Sequence, residues 1–285
     1  LNWKKSLVKP QKSPKTTEYV NEERRNMLFT KWSSVLIVLM FTVIARAEVT
    51  TEPVAYTHND VELEGYLAIP DGEAKGAVLV VHEWWGLNDY AKMRARMLAE
   101  LGYVAFAVDM YGKGKVTDSP EQAGQWAGTV AGDREQYRAR ALAGLEAFKA
   151  TEKVTDGMKV AAIGYCFGGT TVTELAYSGA DLAGVVSFHG NPKAPLDEDN
   201  NIHAAILFCH GDADPLVPDD VINSATDGLD AKGVDWQLIR YSGAKHAFSN
   251  PKADSYGLAP VGYDEKADKR SWAQMQVFLD EVLAP

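Results

Sequence analysis

Val160-Ala161-Ala162-Ile163-Gly164-Tyr165-Cys166-Phe167-Gly168-Gly169 is the stretch whose reading decides the fold. Its first four residues are apolar without a break, as a strand buried on both faces requires. Thr170–Ser178 then reads as helix. A turn this sharp between strand and helix has no room for side chains beside its central residue. Glycines therefore stand at 164 and 168, and the Cys166 side chain is pushed up from the sheet. Gly169 lets the helix pack close to the neighbouring strands. The helix N-terminus favours thiolate over thiol at Cys166, and the Phe167 amide supplies half of an oxyanion hole. The competing reading is a buried structural cysteine in a small-residue turn. A phosphate loop is set aside, because the segment has neither GxGxxG nor GKS/T. Cys209 ends an apolar strand with no such turn around it and reads as core.

The same alternation continues on both sides. Gly76–Val81, Tyr103–Val108, Ala183–Phe188 and Ala204–Cys209 are apolar strands, and 234–241 is another. Helical spacing covers 89–101, 218–231, 265–283 and 120–150, the last as two helices broken near Gly132-Asp133. Strands alternating with helices define an α/β fold: a mostly parallel sheet, helices on both faces, right-handed crossovers. Ahead of it, Pro53–Thr57 and Glu62–Ile69 flank Asn59-Asp60 and read as an antiparallel hairpin, closed by Pro70-Asp71-Gly72. One domain over 52–285 accounts for the pattern.

The first forty-seven residues differ. Residues 1–26 are polar, basic and aperiodic, an upstream segment outside the fold. Residues 27–47 run from Met27-Leu28-Phe29-Thr30-Lys31 through an apolar stretch, Val35–Ile44, to Ala45-Arg46-Ala47. That is the form of a secretory signal peptide, cleaved after Ala47; an uncleaved anchor is the alternative. The expectation is export to a periplasm or the medium, with no stable membrane insertion after cleavage. Residues 1–47 hold nine of the 29 Lys and Arg and three of the 39 Asp and Glu, so the remainder carries a formal charge of −16. Such a surface repels phosphate backbones and excludes a nucleic-acid partner. Two cysteines make no disulfide framework. A monomer is the default assembly, which the sequence leaves open.

A thiol nucleophile needs a base, and the base an orienting carboxylate. The strand ending at Cys209 runs into His210-Gly211-Asp212-Ala213-Asp214-Pro215, at the strand end where catalytic groups gather. Asp214 is the expected acid, with Asp212 the competitor as a turn cap. His246, in Gly243-Ala244-Lys245-His246-Ala247-Phe248, is the expected base. The first buried strand, Gly76–Val81, ends in His82-Glu83-Trp84-Trp85-Gly86, whose Trp84 amide is the candidate second oxyanion donor. Glu83, between a buried strand and two tryptophans, needs a partner. It is expected either to reach the Cys166 thiol, titrating with it as a pair, or to sit in a structural salt bridge.

Taken together, HEWWG at 82–86, VDMYG at 108–112, GYCFGG at 164–169, HGDADPLVP at 210–218 and KHAF at 245–248 resemble the dienelactone hydrolase family of the α/β-hydrolases, over roughly residues 53–283. The resemblance implies a Cys166–His246–Asp214 triad, Glu83 as partner of the resting thiol, an oxyanion hole from Trp84 and Phe167, and neither a metal nor an organic cofactor. It implies hydrolysis of a small ester or lactone through a thioester, with Trp85, Tyr111, Lys113, Phe248 and Asn250 as pocket residues. Two family arginines that hold a substrate carboxylate are replaced here by Lys113 and Asn250, which argues against dienelactone itself. The segment 250–263 reads as a longer loop that places Tyr256 or Tyr263 at the pocket rim. A thioesterase or peptidase with the same triad, and a non-catalytic redox sensor on the same fold, are the rival functions.

Overall fold

The computed structural model describes residues 48–284; the upstream segment and the leader expected over 27–47 lie outside the described residues. Eight strands form one sheet in the order β1-β2-β4-β3-β5-β6-β7-β8. They are β1 (Thr50–His58), β2 (Val61–Ile69), β3 (Ala77–Val81), β4 (Val104–Val108), β5 (Val160–Tyr165), β6 (Gly184–Phe188), β7 (Ala205–Gly211) and β8 (Trp236–Tyr241). β1 and β2 are an antiparallel hairpin, and β2 meets β4 antiparallel; every other pair is parallel. Asn59 and Asp60 both have positive φ, 47° and 59°, as a two-residue turn matched to strand twist demands.

Among the described residues six α-helices follow the strands: α1 (Asp89–Glu100), α2 (Pro120–Ala131), α3 (Arg134–Lys149), α4 (Phe167–Tyr177), α5 (Asp219–Ala231) and α6 (Glu265–Val282). Alternation along the strands sorts the core into two layers. Leu79, Val81, Phe106 and Val108 pack with Tyr137, Leu145 and Phe148 of α3 and Val172 and Leu175 of α4. Val78, Val80, Ala105 and Ala107 pack instead with Ala95 and Leu98 of α1 and Phe278 and Leu279 of α6. Both faces of the sheet are therefore dry, which is why the central strands read as unbroken apolar runs. The break expected near Gly132-Asp133 is real: Asp133 caps α3 by accepting from the Gln136 amide at 3.0 Å.

This topology decides where chemistry can happen. β3 lies between β4 and β5, so the connections leaving β3 and β5 depart to opposite sides. A crevice opens at their carboxyl ends, the switch point of a parallel sheet. Glu83 and Trp84 follow β3 there, and Cys166 follows β5.

Candidate active site

The turn after β5 has the strain its sequence implies. Cys166 sits at φ 54°, ψ −113°, a conformation few non-glycine residues adopt. A Cβ on Gly164 would lie 2.0 Å from the Gly168 carbonyl oxygen, and one on Gly168 would lie 2.2 Å from that of Val81. Only glycine fits at either place. The turn presents Cys166 partly exposed, whereas Cys209 is buried and its thiol is pushed up to about 12 by burial.

His246 Nδ1 and Asp214 Oδ2 are 2.7 Å apart, and the Asp214 side chain is fully buried. Its other oxygen accepts the Leu216 amide at 2.8 Å. Asp212, the competing acid, is exposed, and no bond joins it to the histidine among the described residues. His246 Nε2 is buried and makes no hydrogen bond of ordinary geometry among the described residues; the group it interacts with is the Cys166 side chain. Burial by itself would lower the ring's pKa. The negative charge of Cys166, then the bond to Asp214, outweigh it and lift the pKa to about 10.

Cys166, His246, Glu83, Trp84 and Trp85 share one cavity of about 330 Å³, whose remaining wall is Leu216, Ala247, Tyr256, Leu258, Pro260 and Val261. No lysine or arginine lines it. The loop 250–263 forms one side, tied back by the Gly262 amide donating to the His246 carbonyl at 3.0 Å. Tyr256 stacks on Trp85 with ring centroids 4.2 Å apart. Tyr263 does not reach the cavity; its hydroxyl donates to Asp268.

Several expected residues have other partners or lie off the cavity. Glu83 is buried, but its carboxylate accepts from Asn250 Nδ2 at 2.6 Å, and among the described residues no hydrogen bond joins it to Cys166. Burial raises its pKa to about 7 against the bond from Asn250 and the charge of His246. Asn250 is fully buried behind Glu83 rather than on the cavity wall, its Oδ1 accepting the Lys252 amide. Lys113 pairs with Glu64 at 2.7 Å on the surface and does not line the cavity. Phe248 is fully buried against His189 and Tyr241. Tyr111 lies beneath the site, packed on Phe167 and His82.

Sequence reasoning missed a buried relay. The Cys166 amide donates to His189 Nδ1 at 3.1 Å, and His189 Nε2 meets Ser249 Oγ at 2.7 Å. Ser249 in turn bonds Tyr90, and its carbonyl accepts from Arg94, which pairs with Asp268. The chain links the cysteine turn to the histidine loop. Burial, then the charge of His246, holds the His189 pKa well below its ordinary value. Its one signal was a histidine before Gly190 at the end of a buried strand.

A strained cysteine between strand and helix at the switch point of this sheet, sharing a cavity with a carboxylate-oriented histidine, is an arrangement of the α/β-hydrolase class. The family model of the dienelactone hydrolase family matches residues 63–283. Protein usf of Aquifex pyrophilus is 32% identical over 235 residues, 81% of this chain and 98% of that protein. A protein of Aquifex aeolicus named "Putative carboxymethylenebutenolidase" is 32% identical over 223 residues, covering 77% and 93%. The crystal structure of a dienelactone hydrolase-like promiscuous phosphotriesterase from metagenomic libraries is 38% identical with a TM-score of 0.79, over 83% of this chain and 99% of that one. The chain belongs to the dienelactone hydrolase family and is a carboxylic ester or lactone hydrolase. Among the described residues no group of three His, Cys, Asp or Glu is placed to hold a metal ion, and no helix is long and apolar enough to cross a membrane.

Proposed function

We propose that the protein hydrolyses small, uncharged, apolar esters or lactones through a thioester on Cys166. The observation that carries this reading is the shared cavity: Cys166 and His246 open onto one apolar space whose other ionisable side chains are Glu83 and Tyr256. A carboxylate substrate would meet Glu83 and no lysine or arginine, and the His246 ring is already paired with Asp214. At about 330 Å³ the space is at the small end of ligand pockets.

The steps follow from the placement. Cys166 attacks the carbonyl carbon as a thiolate, its proton already held on His246 Nε2, while Asp214 accepts from the Nδ1 proton. The Trp84 and Phe167 amides stabilise the tetrahedral oxyanion; neither donates elsewhere among the described residues. Nε2 then returns the proton to the leaving oxygen, leaving a thioester. His246 takes a proton from water, the hydroxide adds to the thioester, and the sulfur departs. In a lactone the leaving oxygen stays tethered until this second half. Export, suggested by the leader-like residues 27–47, belongs to the same reading.

The test is a panel of apolar lactones, aryl esters, their carboxylate-bearing counterparts and a neutral phosphotriester, the class in the name of the metagenomic relative. Wild type is expected to turn over the uncharged members best and to show acyl-enzyme mass on Cys166, with Cys166→Ala inactive. Full turnover by the alanine variant removes the mechanism, and a preference for the anionic members removes the substrate class.

A further inference from the structure

His82 lies outside the cavity and outside every role assigned so far, yet it is fully buried and both ring nitrogens are engaged. Nε2 accepts the Met110 amide proton at 3.2 Å. The ring proton is therefore on Nδ1, which donates to the carbonyl oxygen of Glu83 at 2.5 Å. Gly86 donates more weakly to the same oxygen, at 3.4 Å.

That carbonyl belongs to the peptide whose nitrogen is Trp84. In a planar trans peptide the C=O and N–H point in opposite directions. Fixing the oxygen against a buried ring fixes the Trp84 N–H on the other side, and a flip of this peptide would break the His82 bond and bury an unpaired donor. The ring is further held by its packing. It stacks on Phe167 at 5.9 Å with an interplanar angle of 12°, and Tyr111 meets its edge at 4.9 Å. Phe167 carries the other candidate oxyanion amide, so one imidazole braces both residues whose amides face the reacting carbonyl.

We propose that His82 is a positioning residue that holds the Glu83–Trp84 peptide in the orientation the oxyanion hole requires. This rests on the acyl-transfer reading of Cys166. Burial keeps the ring neutral, lowering its pKa, as a ring that must accept from Met110 has to be.

Two substitutions separate the ring's two bonds. His82→Gln keeps an acceptor near the Nε2 position and loses the donor to Glu83; His82→Asn keeps a donor near the Nδ1 position and loses the acceptor for Met110. Loss of one oxyanion donor lowers kcat by about 10²-fold or more. His82→Gln is expected to show a kcat loss of about that size with KM within a few-fold, and His82→Asn to recover most of it. The specific readout is the carbonyl stretch of a carbon-13-labelled cinnamoyl thioester on Cys166, read by difference infrared spectroscopy. It should move to higher frequency in His82→Gln, because a less polarised carbonyl is stiffer, and stay near the wild-type position in His82→Asn. A wild-type stretch and kcat in folded His82→Gln overturn the role of His82 alone. Absence of any acyl-enzyme in wild type overturns the Cys166 reading and this role with it. Should His82→Gln not fold, a raised stretch in His82→Asn overturns the proposal.

Discussion

Asp214→Asn is expected to lower kcat by about 10²–10⁴-fold, and the reason lies in its second hydrogen bond. Asp214 Oδ1 accepts the Leu216 amide at 2.8 Å while Oδ2 faces His246 Nδ1 at 2.7 Å. An asparagine must keep its oxygen on the Leu216 amide, since turning it over would set two donors against each other there. Its NH₂ then faces Nδ1, which has to accept. The ring can no longer carry protons on both nitrogens, and the imidazolium that partners a Cys166 thiolate is excluded. A charge-assisted bond is worth about 1.5–3 kcal/mol, or roughly 10- to 150-fold in rate, and the wrong tautomer adds to that loss. Asp214→Ala removes the bond without imposing the tautomer, so it should be no worse than the asparagine variant. The assay is kcat on an apolar aryl ester, paired with the rate of Cys166 alkylation by iodoacetamide at neutral pH, which should slow in Asp214→Asn. An asparagine variant within ten-fold of wild type, or a clearly less active alanine variant, would mean that Asp214 does not set the His246 tautomer.

Glu83→Gln should stabilise the protein at alkaline pH. The folded pKa of Glu83 is raised from 4.5 to about 7 by burial, so the fold favours the protonated form and wild-type stability falls as pH rises through that window. The variant escapes a loss of up to about 3 kcal/mol, seen as a Tm several degrees above wild type at pH 8 that converges near pH 4.5; an equal difference at both pH values counts against the buried-acid account. Gly168→Ala should abolish folding or remove more than about 3 kcal/mol in a denaturant titration, since its Cβ would lie 2.2 Å from the Val81 oxygen. Gly128→Ala, with nothing within 4 Å of the added carbon on α2, is the neutral or mildly stabilising control, and similar midpoints for the two would show the turn to be looser than drawn.

Much of the fold was legible along the chain because its determinants are local. An unbroken apolar run such as Val160–Ile163 announces a strand covered on both faces, and Asn59-Asp60 announces a turn that needs two positive φ values. The hairpin nonetheless begins earlier than its alternation suggested, at Thr50. β1 is an edge strand with mostly exposed side chains, so burial imposes no pattern on its first residues. Gly164 encodes the strained cysteine turn locally, its missing Cβ making room for the Gly168 carbonyl four residues on, whereas Gly168 answers to Val81 on a neighbouring strand.

The sequence by itself determined the order of strands and helices, the turn that lifts Cys166, and the pairing of an aspartate and a histidine at strand ends. Only the tertiary structure decided who holds whom. Glu83 bonds Asn250, 167 positions away, rather than the cysteine; Lys113 is spent on Glu64; and His82 and His189 tie the two amide-bearing turns to the rest of the site. A clash such as that at Gly164 acts within the turn, whereas a buried side chain's partner depends on the register of segments far apart in the chain. Tertiary packing, by fixing which partners each buried polar group can reach, settles that choice.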